Sequence, residues 1–531
     1  MSSSNNDSTT QLDRREVIKI GAGAVGLVAL APKAGAAQEA RGEGPITPSG
    51  GMRKPGEISP FTGPGYKNPG STRLGGNGPM DDTTRKIVDF VRSYDYAKMS
   101  PATVKAFNLN MIDSIAAIIA GFEEEPPRIA ASVAQLSPAG KLKATVMGYG
   151  VETTPEQATF ANGVLIRETD FNDMSDEGGH VSTLIPAALA VGEALHSSGP
   201  EVMAAITIGY ELAAAPWAGG ETVIAAMVAA KLMKLDEDRM ANAVTIALTP
   251  HVSLNKGVGA LSMWKGVRSA EPAKNGVWGA MLARAGMTGP PQPFEGRGGL
   301  WENQGRGRPG DHIPRFSPLP KRNDSMAIER NWFKRRPSEA GTQGFLVMVP
   351  TIKAWVKPEE IAHIHFVTTY GIWEEICDAP KWDPTNRETA DHSMPFVIAR
   401  ALIDGDVYLD SYDDDKVKDP LVQDLLSKTT MAPANWTGRG YGAGRLTITK
   451  KSGEVKDFDL YNGHRDLDLS DYVRMDDKEV LAKYTRVCAF KKVNDAQRDR
   501  AYKLWSNLAD VKDIGEAIKS LAKFGQPKPL A

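Results

Sequence analysis

Two aspartates and a histidine stand close together at Asp170, Asp173 and His180. The apolar run 181–195 follows at once and has the length of a buried helix. Polar groups at the start of such a helix lie at the edge of a core, where partial desolvation and neighbouring charges shift their pKa values. Proton-transfer chemistry needs groups of this kind.

Two other interpretations of this cluster remain open. Asp173 and its neighbours could cap the following helix while His180 is a satisfied structural residue. Asp and His are also metal ligands, although no second histidine stands nearby at metal-binding spacing.

Cations that could hold a carboxylate occur in two later segments. Lys265 and Arg268 share a face if their segment is helical. Lys334 and Arg335 belong to a run of three cations that precedes a proline. Such residues either clamp a carboxylate or form a solvated basic surface.

A further acid–imidazole pair, Asp391 and His392, precedes the apolar run 397–403. The pair is either a helix cap or another part of the same site.

The cluster of Asp170, Asp173 and His180 is expected to be positioned by helices. Ser100 followed by Pro101 predicts a helix N-terminus, and Gly121 predicts its end, with apolar residues every three or four positions between them. Alanine-rich helices are then predicted at 183–196, 200–215, 221–234, 236–249 and 270–286. This half of the chain therefore indicates a closely packed helical domain.

The second half changes character after about residue 330. Alternating residues predict a strand at 361–369, and the runs 445–449 and 455–460 predict a hairpin. From Asp495 the chain returns to helix, and one apolar stripe is formed by Leu504, Leu508, Val511, Ile514, Ile518 and Leu521.

These patterns predict an α+β multidomain protein. Its large helical domain comprises residues 81–325 together with the returning helices of 491–531. A smaller α+β lid domain, residues 326–490, is inserted between them.

The N-terminal region is predicted to precede the fold. Arg14-Arg15, an apolar segment and a small-residue triplet are typical of a twin-arginine signal peptide, here residues 1–37. Residues 38–80 are rich in Gly and Pro and indicate a linker or arm. A periplasmic or secreted protein, exported by the twin-arginine machinery, is therefore expected, with a cytoplasmic location as the alternative.

The signal segment also contains the spacing GxGxxG at 21–26. A dinucleotide site needs a strand before this motif, a helix after it and an acid about 20 residues further on. Pro32 and the linker interrupt that pattern, so no dinucleotide-binding domain is predicted here.

Charge and cysteine content exclude several classes of protein. The chain has 63 basic and 65 acidic side chains, which gives no electrostatic case for binding nucleic acid or an anionic membrane. Cys377 and Cys488 could form one disulfide, but two buried thiols are the favoured expectation. No stretch approaches the ~20 apolar residues of a membrane span.

Several segments together resemble the MmgE/PrpD family, which includes 2-methylcitrate dehydratases and cis-aconitate decarboxylases. The resemblance runs from about Thr83 to the C-terminal helix. The matching segments are 161–180, 209–211, 262–265, 287–290 with 294–296, and 387–393.

This resemblance implies a helical domain with a smaller α+β lid, a homodimer, an active site between the domains and no cofactor or metal. The residues that match the family's active site, and are predicted to be catalytic, are Asp170, His180, Lys265 and Lys334. The neighbouring residues predicted to bind substrate are Asn172, Asp173, Arg268, Arg335 and His392.

The resemblance implies a hydro-lyase that dehydrates or hydrates a small di- or tricarboxylate. The two lysines would bind substrate carboxylates, and His180 or Asp170 would move a proton at the carbon beside a carboxylate. The alternatives are a decarboxylase, an epimerase or isomerase of a related carboxylate, and a non-catalytic carboxylate-binding protein.

The chain departs from the family pattern in four places. Met174 stands where the family usually has Thr, and Phe396 stands where it has Tyr. A histidine expected within 213–226 is missing, and 339–342 lacks the histidine often found shortly after Lys334. Two imidazoles and a phenol are therefore replaced, so the family's usual reaction does not follow directly.

Overall fold

The computed structural model describes residues 80–175, 179–215, 220–250, 259–296, 298–303, 325–434, 444–459, 475–525 and 527–530. The predicted signal peptide and all of the linker except Met80 lie outside the described residues.

Helices make up most of the first half of the chain, as the sequence predicts. The α-helices are α1 Asp82–Ser93, α2 Pro101–Gly121, α3 Glu125–Ala134, α4 Pro155–Glu168, α5 Ile185–Ala194, α6 Gly199–Ala213, α7 Gly220–Leu232, α8 Glu237–Leu248, α9 Trp264–Val267, α10 Ala270–Arg284 and α11 Leu300–Asn303. A small antiparallel pair of strands, β1 Ala144–Val146 and β2 Val151–Thr153, precedes α4.

The predicted limits of α2 are confirmed. The side chain of Ser100 accepts a hydrogen bond of 3.0 Å from the amide of Thr103, and Pro101 occupies the first turn. The helix ends at Gly121, where an added Cβ would lie 2.1 Å from the carbonyl oxygen of Leu165. This close approach brings α2 against α4, which carries the Asp170 segment at its end.

Helix α2 is the one described helix with the length and apolarity to cross a membrane. In its most apolar window 72% of the residues are buried inside the protein, which is the pattern of a core helix. The sequence prediction that no stretch reaches this length is therefore wrong for α2.

The second half builds an α+β unit. Its elements are α12 Gln343–Trp355, β3 Ile361–Thr369, α13 Tyr370–Ile376, α14 Arg387–Ala390, α15 Met394–Asp404, α16 Asp414–Val417, α17 Pro420–Ser427, β4 Thr429–Ala434, β5 Gly444–Lys450 and β6 Val455–Asp459. The strand over 361–369 and the following hairpin are confirmed.

The four strands form one sheet in the order β4-β3-β5-β6. Strand β3 is parallel to β4, with Phe366 opposite Met431, and antiparallel to β5, with Phe366 opposite Leu446. The inward residues of β3 and β5 bury their side chains against α12 and α15 in a hydrophobic core of their own.

The last helices are α18 Asp477–Phe490, α19 Asp495–Trp505 and α20 Ile514–Ser520. The apolar stripe predicted from Asp495 onward is divided between α19, a short turn at Leu508–Asp510 and α20, but its residues still pack on the helical core. Helix α19 ends at Trp505 and is followed by Ser506 and Asn507, which are poor helix formers.

Helix α18 packs on the helical core rather than on the α+β unit. Val480, Tyr484 and Val487 belong to the first core, and Lys483 donates a hydrogen bond of 2.6 Å to the buried carboxylate of Asp113 on α2. The chain has therefore returned to the helical part by residue 477, earlier than the predicted boundary at 490. The apolar residues of α18 and this buried ion pair both face the helical core.

Candidate active site

Asp170 lies directly beyond the C-terminus of α4. Its backbone has a φ of +50°, a left-handed conformation that Asp tolerates better than most residues and that turns the chain out of the helix. The fully buried carboxylate accepts a hydrogen bond of 2.6 Å from the ammonium of Lys334 and another from the guanidinium of Arg167. Burial alone would raise the pKa of Asp170, but these two cations outweigh it and hold the pKa well below its usual range.

The three consecutive cations at 334–336 point in different directions. Lys334 is fully buried against Asp170, whereas Arg335 forms a bidentate ion pair of 2.8 Å with Glu479, and Nε of Arg336 lies 2.6 Å from Asp406. The fold therefore brings Lys334, but not the two arginines, to Asp170. Arg335, predicted to bind substrate, instead joins the first turns of the α+β unit to α18.

The imidazole of His180 lies beside the Asp170 carboxylate, with its Nε2 3.8 Å from Oδ1. Its Nδ1 lies 2.8 Å from the backbone carbonyl oxygen of Asp173. A carbonyl can only accept, so Nδ1 carries the proton. Burial, together with the cations Arg167 and Lys334, holds the pKa of His180 well below its usual range. The ring is therefore neutral and its Nε2 carries a free lone pair, which is the form a base requires.

Asp173 has a supporting position. Its fully buried carboxylate accepts hydrogen bonds from the backbone and hydroxyl of Ser182, from the hydroxyl of Tyr210 at 2.7 Å and from the amide of Asn331. Asn172, also buried, donates to the same Ser182 hydroxyl at 2.9 Å. Both residues were predicted to bind substrate, but these contacts occupy the Asp173 carboxylate with protein donors, and they fix the segment that holds the imidazole.

A second cluster is formed by Lys265, Asp391 and His392. The ammonium of Lys265 contacts the carboxylate of Asp391, which also lies 2.6 Å from Nδ1 of His392. The cap of α15 is not this pair, because the side chain of Ser393 accepts the capping hydrogen bond, 3.1 Å, from the amide of Phe396. The carboxylate of Asp391 therefore does not cap α15 and is held between a lysine and an imidazole.

The two clusters lie side by side. Burial lowers the pKa of His392, while the negative charges of Asp170 and Asp391 act in the opposite direction. The negative charge of Asp170 therefore acts on the imidazole of His392. The structure brings together five predicted site residues: Asp170, His180, Lys265, Lys334 and His392. Elements of the helical core supply the first three of these residues.

Arg268 does not join this group. Helix α9 is a single turn on which the Lys265 side chain is buried while Arg268 is exposed to solvent. The two cations were predicted to share a face, but the turn is too short to bring both inward.

Glu168, the last residue of α4, was not singled out by sequence. Its side chain is fully buried, and neither carboxyl oxygen has a hydrogen-bond partner among the described residues. It packs on Gly266, where an added Cβ would lie 2.4 Å from Oε2 of Glu168. Burial raises the pKa of Glu168 to about 8 despite the nearby charge of Lys265.

Glu339 is a second acid that sequence reasoning did not place in the site. Its backbone amide donates a hydrogen bond of 2.9 Å to the carbonyl oxygen of Asp391, and its carboxylate accepts one from the amide of Gly341. The sequence signal that could have found it is its position five residues after Lys334, where the expected histidine is missing.

Two of the positions that depart from the family pattern, Met174 and Phe396, are buried among apolar side chains. Met174 is buried against Trp332 and Ala340. Phe396 is buried in the core of the α+β unit, with its ring 6.0 Å from that of Tyr412. A phenol is therefore present next to position 396, although not at it.

Among the described residues, no group of three or more His, Cys, Asp or Glu side chains is arranged to hold a metal ion. Cys377 and Cys488 are both buried and free, as expected. The chemistry of the site must be considered from its acids, imidazoles and lysines.

Comparison with known proteins identifies two family domains and several relatives. The MmgE/PrpD N-terminal domain matches residues 85–309, and the MmgE/PrpD C-terminal domain matches residues 337–507. Human cis-aconitate decarboxylase is 24% identical over 488 residues, which cover 85% of this chain and 97% of the relative. The cis-aconitate decarboxylase-like protein oryM of Aspergillus oryzae is 25% identical over 328 residues, covering 54% of this chain and 66% of that protein. Mouse cis-aconitate decarboxylase is 24% identical over 345 residues, covering 58% and 68% of the two chains.

Both domains match in the order in which they follow along the chain, and together they span the helical core and the α+β unit that meet at the Asp170 cluster. The chain therefore belongs to the MmgE/PrpD family.

Proposed function

We propose that this chain is a lyase that removes water from, or adds it to, a small di- or tricarboxylate by abstracting a proton beside a carboxylate. The proposal is carried by the position of the His180 imidazole, whose Nε2 lies 3.8 Å from the Asp170 carboxylate at the edge of a buried cluster of charges, and whose pKa is held well below its usual range by burial and the nearby cations. A neutral base next to fixed cations suits the removal of a proton from a carbon acid.

In this reaction His180 is the base and touches the substrate. Its side chain is 18% exposed, whereas Asp170 and Lys334 are fully buried. Asp170 and Lys334 are therefore positioning residues that keep the local field constant around the imidazole. Lys265, whose side chain retains a little exposure, is the cation best placed to bind a substrate carboxylate.

Proton removal places negative charge on the carboxylate next to the reacting carbon. Arg167, Lys265 and Lys334 are cations, and they face two ionised carboxylates, Asp170 and Asp391. The surplus of positive charge stabilises the developing negative charge, and these buried cations need not move during the reaction. Elimination of a β-hydroxyl then gives the unsaturated carboxylate.

Decarboxylation of an unsaturated tricarboxylate is the second candidate. The relatives named above are cis-aconitate decarboxylases or like them, which favours this alternative. It leaves an electron pair on a carbon that must then be protonated, so it uses the same cations but needs a proton donor more than a base.

The experiment is incubation of the purified chain with hydroxy- and unsaturated di- and tricarboxylates in D₂O, followed by NMR. Loss of an α-proton signal reports abstraction, water loss appears as an alkene, and decarboxylation appears as a product one carbon shorter. Lys265→Ala should weaken substrate use, and Lys503→Ala, on the exposed surface of α19, is the matched control. A wild-type chain that shows neither exchange nor product with any member of the panel would contradict the proposal and favour a protein that only binds carboxylates.

A further inference from the structure

Both candidate reactions require a proton donor, and Asp170, His180 and Lys334 do not supply one. Asp170 is ionised, and Nδ1–H of His180 is used by the carbonyl of Asp173. The ammonium of Lys334 is fully buried and bound to Asp170. The donor must be another group that is protonated near neutral pH and reaches the same space.

Glu339 lies between the two charged clusters. Its amide is bound to the carbonyl oxygen of Asp391 in the Lys265 cluster, and its carboxyl is close enough to Lys334 and Asp170 for their charges to act on it. The side chain is only partly buried, in contrast to Asp170 and Asp391. It can therefore meet a ligand that the buried acids cannot.

The two oxygens of the Glu339 carboxyl differ. Oε2 accepts the hydrogen bond of the Gly341 amide, at the start of the turn Ala340–Thr342. Within the part of the chain that the structure describes, no hydrogen bond to Oε1 is present. One oxygen thus fixes the carboxyl and the other remains available to carry a proton.

The charge state of Glu339 is opposite to that of Asp170. Burial first, and then the negative charges of Glu375 and Asp170, outweigh the nearby Lys334 and raise the pKa of Glu339 to about 8. Asp170 has its pKa held far below the usual range. Two carboxyls whose environments separate their pKa values in this way are suited to different roles, one as fixed charge and the other as acid.

We propose that Glu339 is the general acid of this site and that it donates the proton on Oε1 to the leaving group. The inference rests on the proposed lyase function, and it adds a catalytic residue from 339–342, the segment that lacks the histidine often found in the family.

The proton balance is complete in both reactions. In dehydration His180 takes the α-proton, the carbanion electrons form the double bond, and the C–O bond breaks with its electron pair on oxygen. Oε1–H of Glu339 protonates that oxygen to give water. In decarboxylation the C–C bond breaks, CO₂ leaves, and the same proton goes to the carbon that keeps the electron pair. In both cases Glu339 ends as a carboxylate and regains its proton from solvent, and after dehydration His180 releases the α-proton to solvent.

The test is Glu339→Gln, which keeps the shape of the side chain and its contact with Gly341 but cannot donate an acid proton. Glu374→Gln, an exposed acid on α13, is the matched control. Product formation, α-proton exchange in D₂O and the pH dependence of kcat are measured for both variants and for wild type. Circular dichroism verifies that each variant is folded.

The expected result is a fall in product formation of about 10²- to 10⁴-fold in Glu339→Gln, with exchange retained and the alkaline decline of kcat lost. Glu339→Asp should recover part of the rate because it restores an acid. Wild-type product formation with an unchanged pH profile in Glu339→Gln would overturn the inference. Loss of both exchange and turnover in a folded variant would also overturn it, since Glu339 would then serve binding or abstraction. A wild type inert with every substrate would instead remove the proposed function itself.

Discussion

The carboxylate of Asp170 accepts a hydrogen bond of 2.6 Å from the ammonium of Lys334, and neither side chain is exposed to solvent. A buried pair of this kind is costly to break from one side because the remaining charge has no water to solvate it.

Replacing Lys334 by Met should therefore lower the free energy of unfolding by about 3–5 kcal/mol. The double variant Asp170→Asn with Lys334→Met removes both charges and should be less destabilised than the sum of the single variants. Urea denaturation of the three variants measures this difference. Strict additivity would contradict a direct pairing of the two residues.

His180→Asn should reduce α-proton exchange by about 10²- to 10⁴-fold, because it removes the unprotonated Nε2 that faces Asp170. The control is His196→Asn, at an exposed histidine whose φ of +54° suits Asn. Exchange is followed by NMR in D₂O. Equal loss in both variants would show that the effect is not specific to the site.

The pH dependence of stability should reveal Glu168. Its folded-state pKa of about 8 lies above the unfolded value of 4.5, so the folded protein holds a proton that the unfolded chain releases. The free energy of unfolding should therefore fall as pH rises between these two values. Glu168→Gln should flatten this dependence and raise stability at pH 8 by a few kcal/mol, since each pKa unit corresponds to about 1.4 kcal/mol.

Urea unfolding at pH 5, 6.5 and 8 checks this prediction, and Glu359→Gln, an exposed acid, is the control. A Glu168→Gln variant with the same pH slope as wild type would mean that the carboxyl is ionised in the folded state.

Export is tested separately. Replacing Arg14 and Arg15 by two lysines should leave the full chain in the cytoplasm, because the twin-arginine pathway requires the arginine pair. Fractionation followed by immunoblotting measures the distribution, with Arg41→Lys as the control substitution outside the signal. Unchanged export would contradict the predicted signal.

The sequence predicted the fold best where local rules act alone. Ser100 and Pro101 determine the start of α2 through capping and a preset φ, and alternation determines β3. On sequence alone, helix α18 is assigned to the α+β unit, because the apolar stripe of a helix does not indicate which of two cores it packs against. Its actual position is marked by contacts between residues far apart in sequence, such as the ion pair of Lys483 with Asp113.

The candidate site shows the same limit. Lys334, Arg335 and Arg336 are alike in composition, and an irregular segment has no periodicity from which their directions follow. Glu168 and Glu339 were missed because burial of an acid, not its identity, changes its charge state. Burial of this kind is a tertiary property.

The Lys265–Asp391 ion pair joins the turn α9, which packs on α4 of the helical core, to the segment between α14 and α15 of the α+β unit. A substrate carboxylate that binds Lys265 would compete with Asp391 for the same ammonium. The substrate and the contact between the helical core and the α+β unit would then both depend on the Lys265 ammonium. Ligand binding and the strength of that contact must therefore influence each other. Binding of a substrate carboxylate to Lys265 would therefore weaken the Lys265–Asp391 ion pair that joins the helical core to the α+β unit.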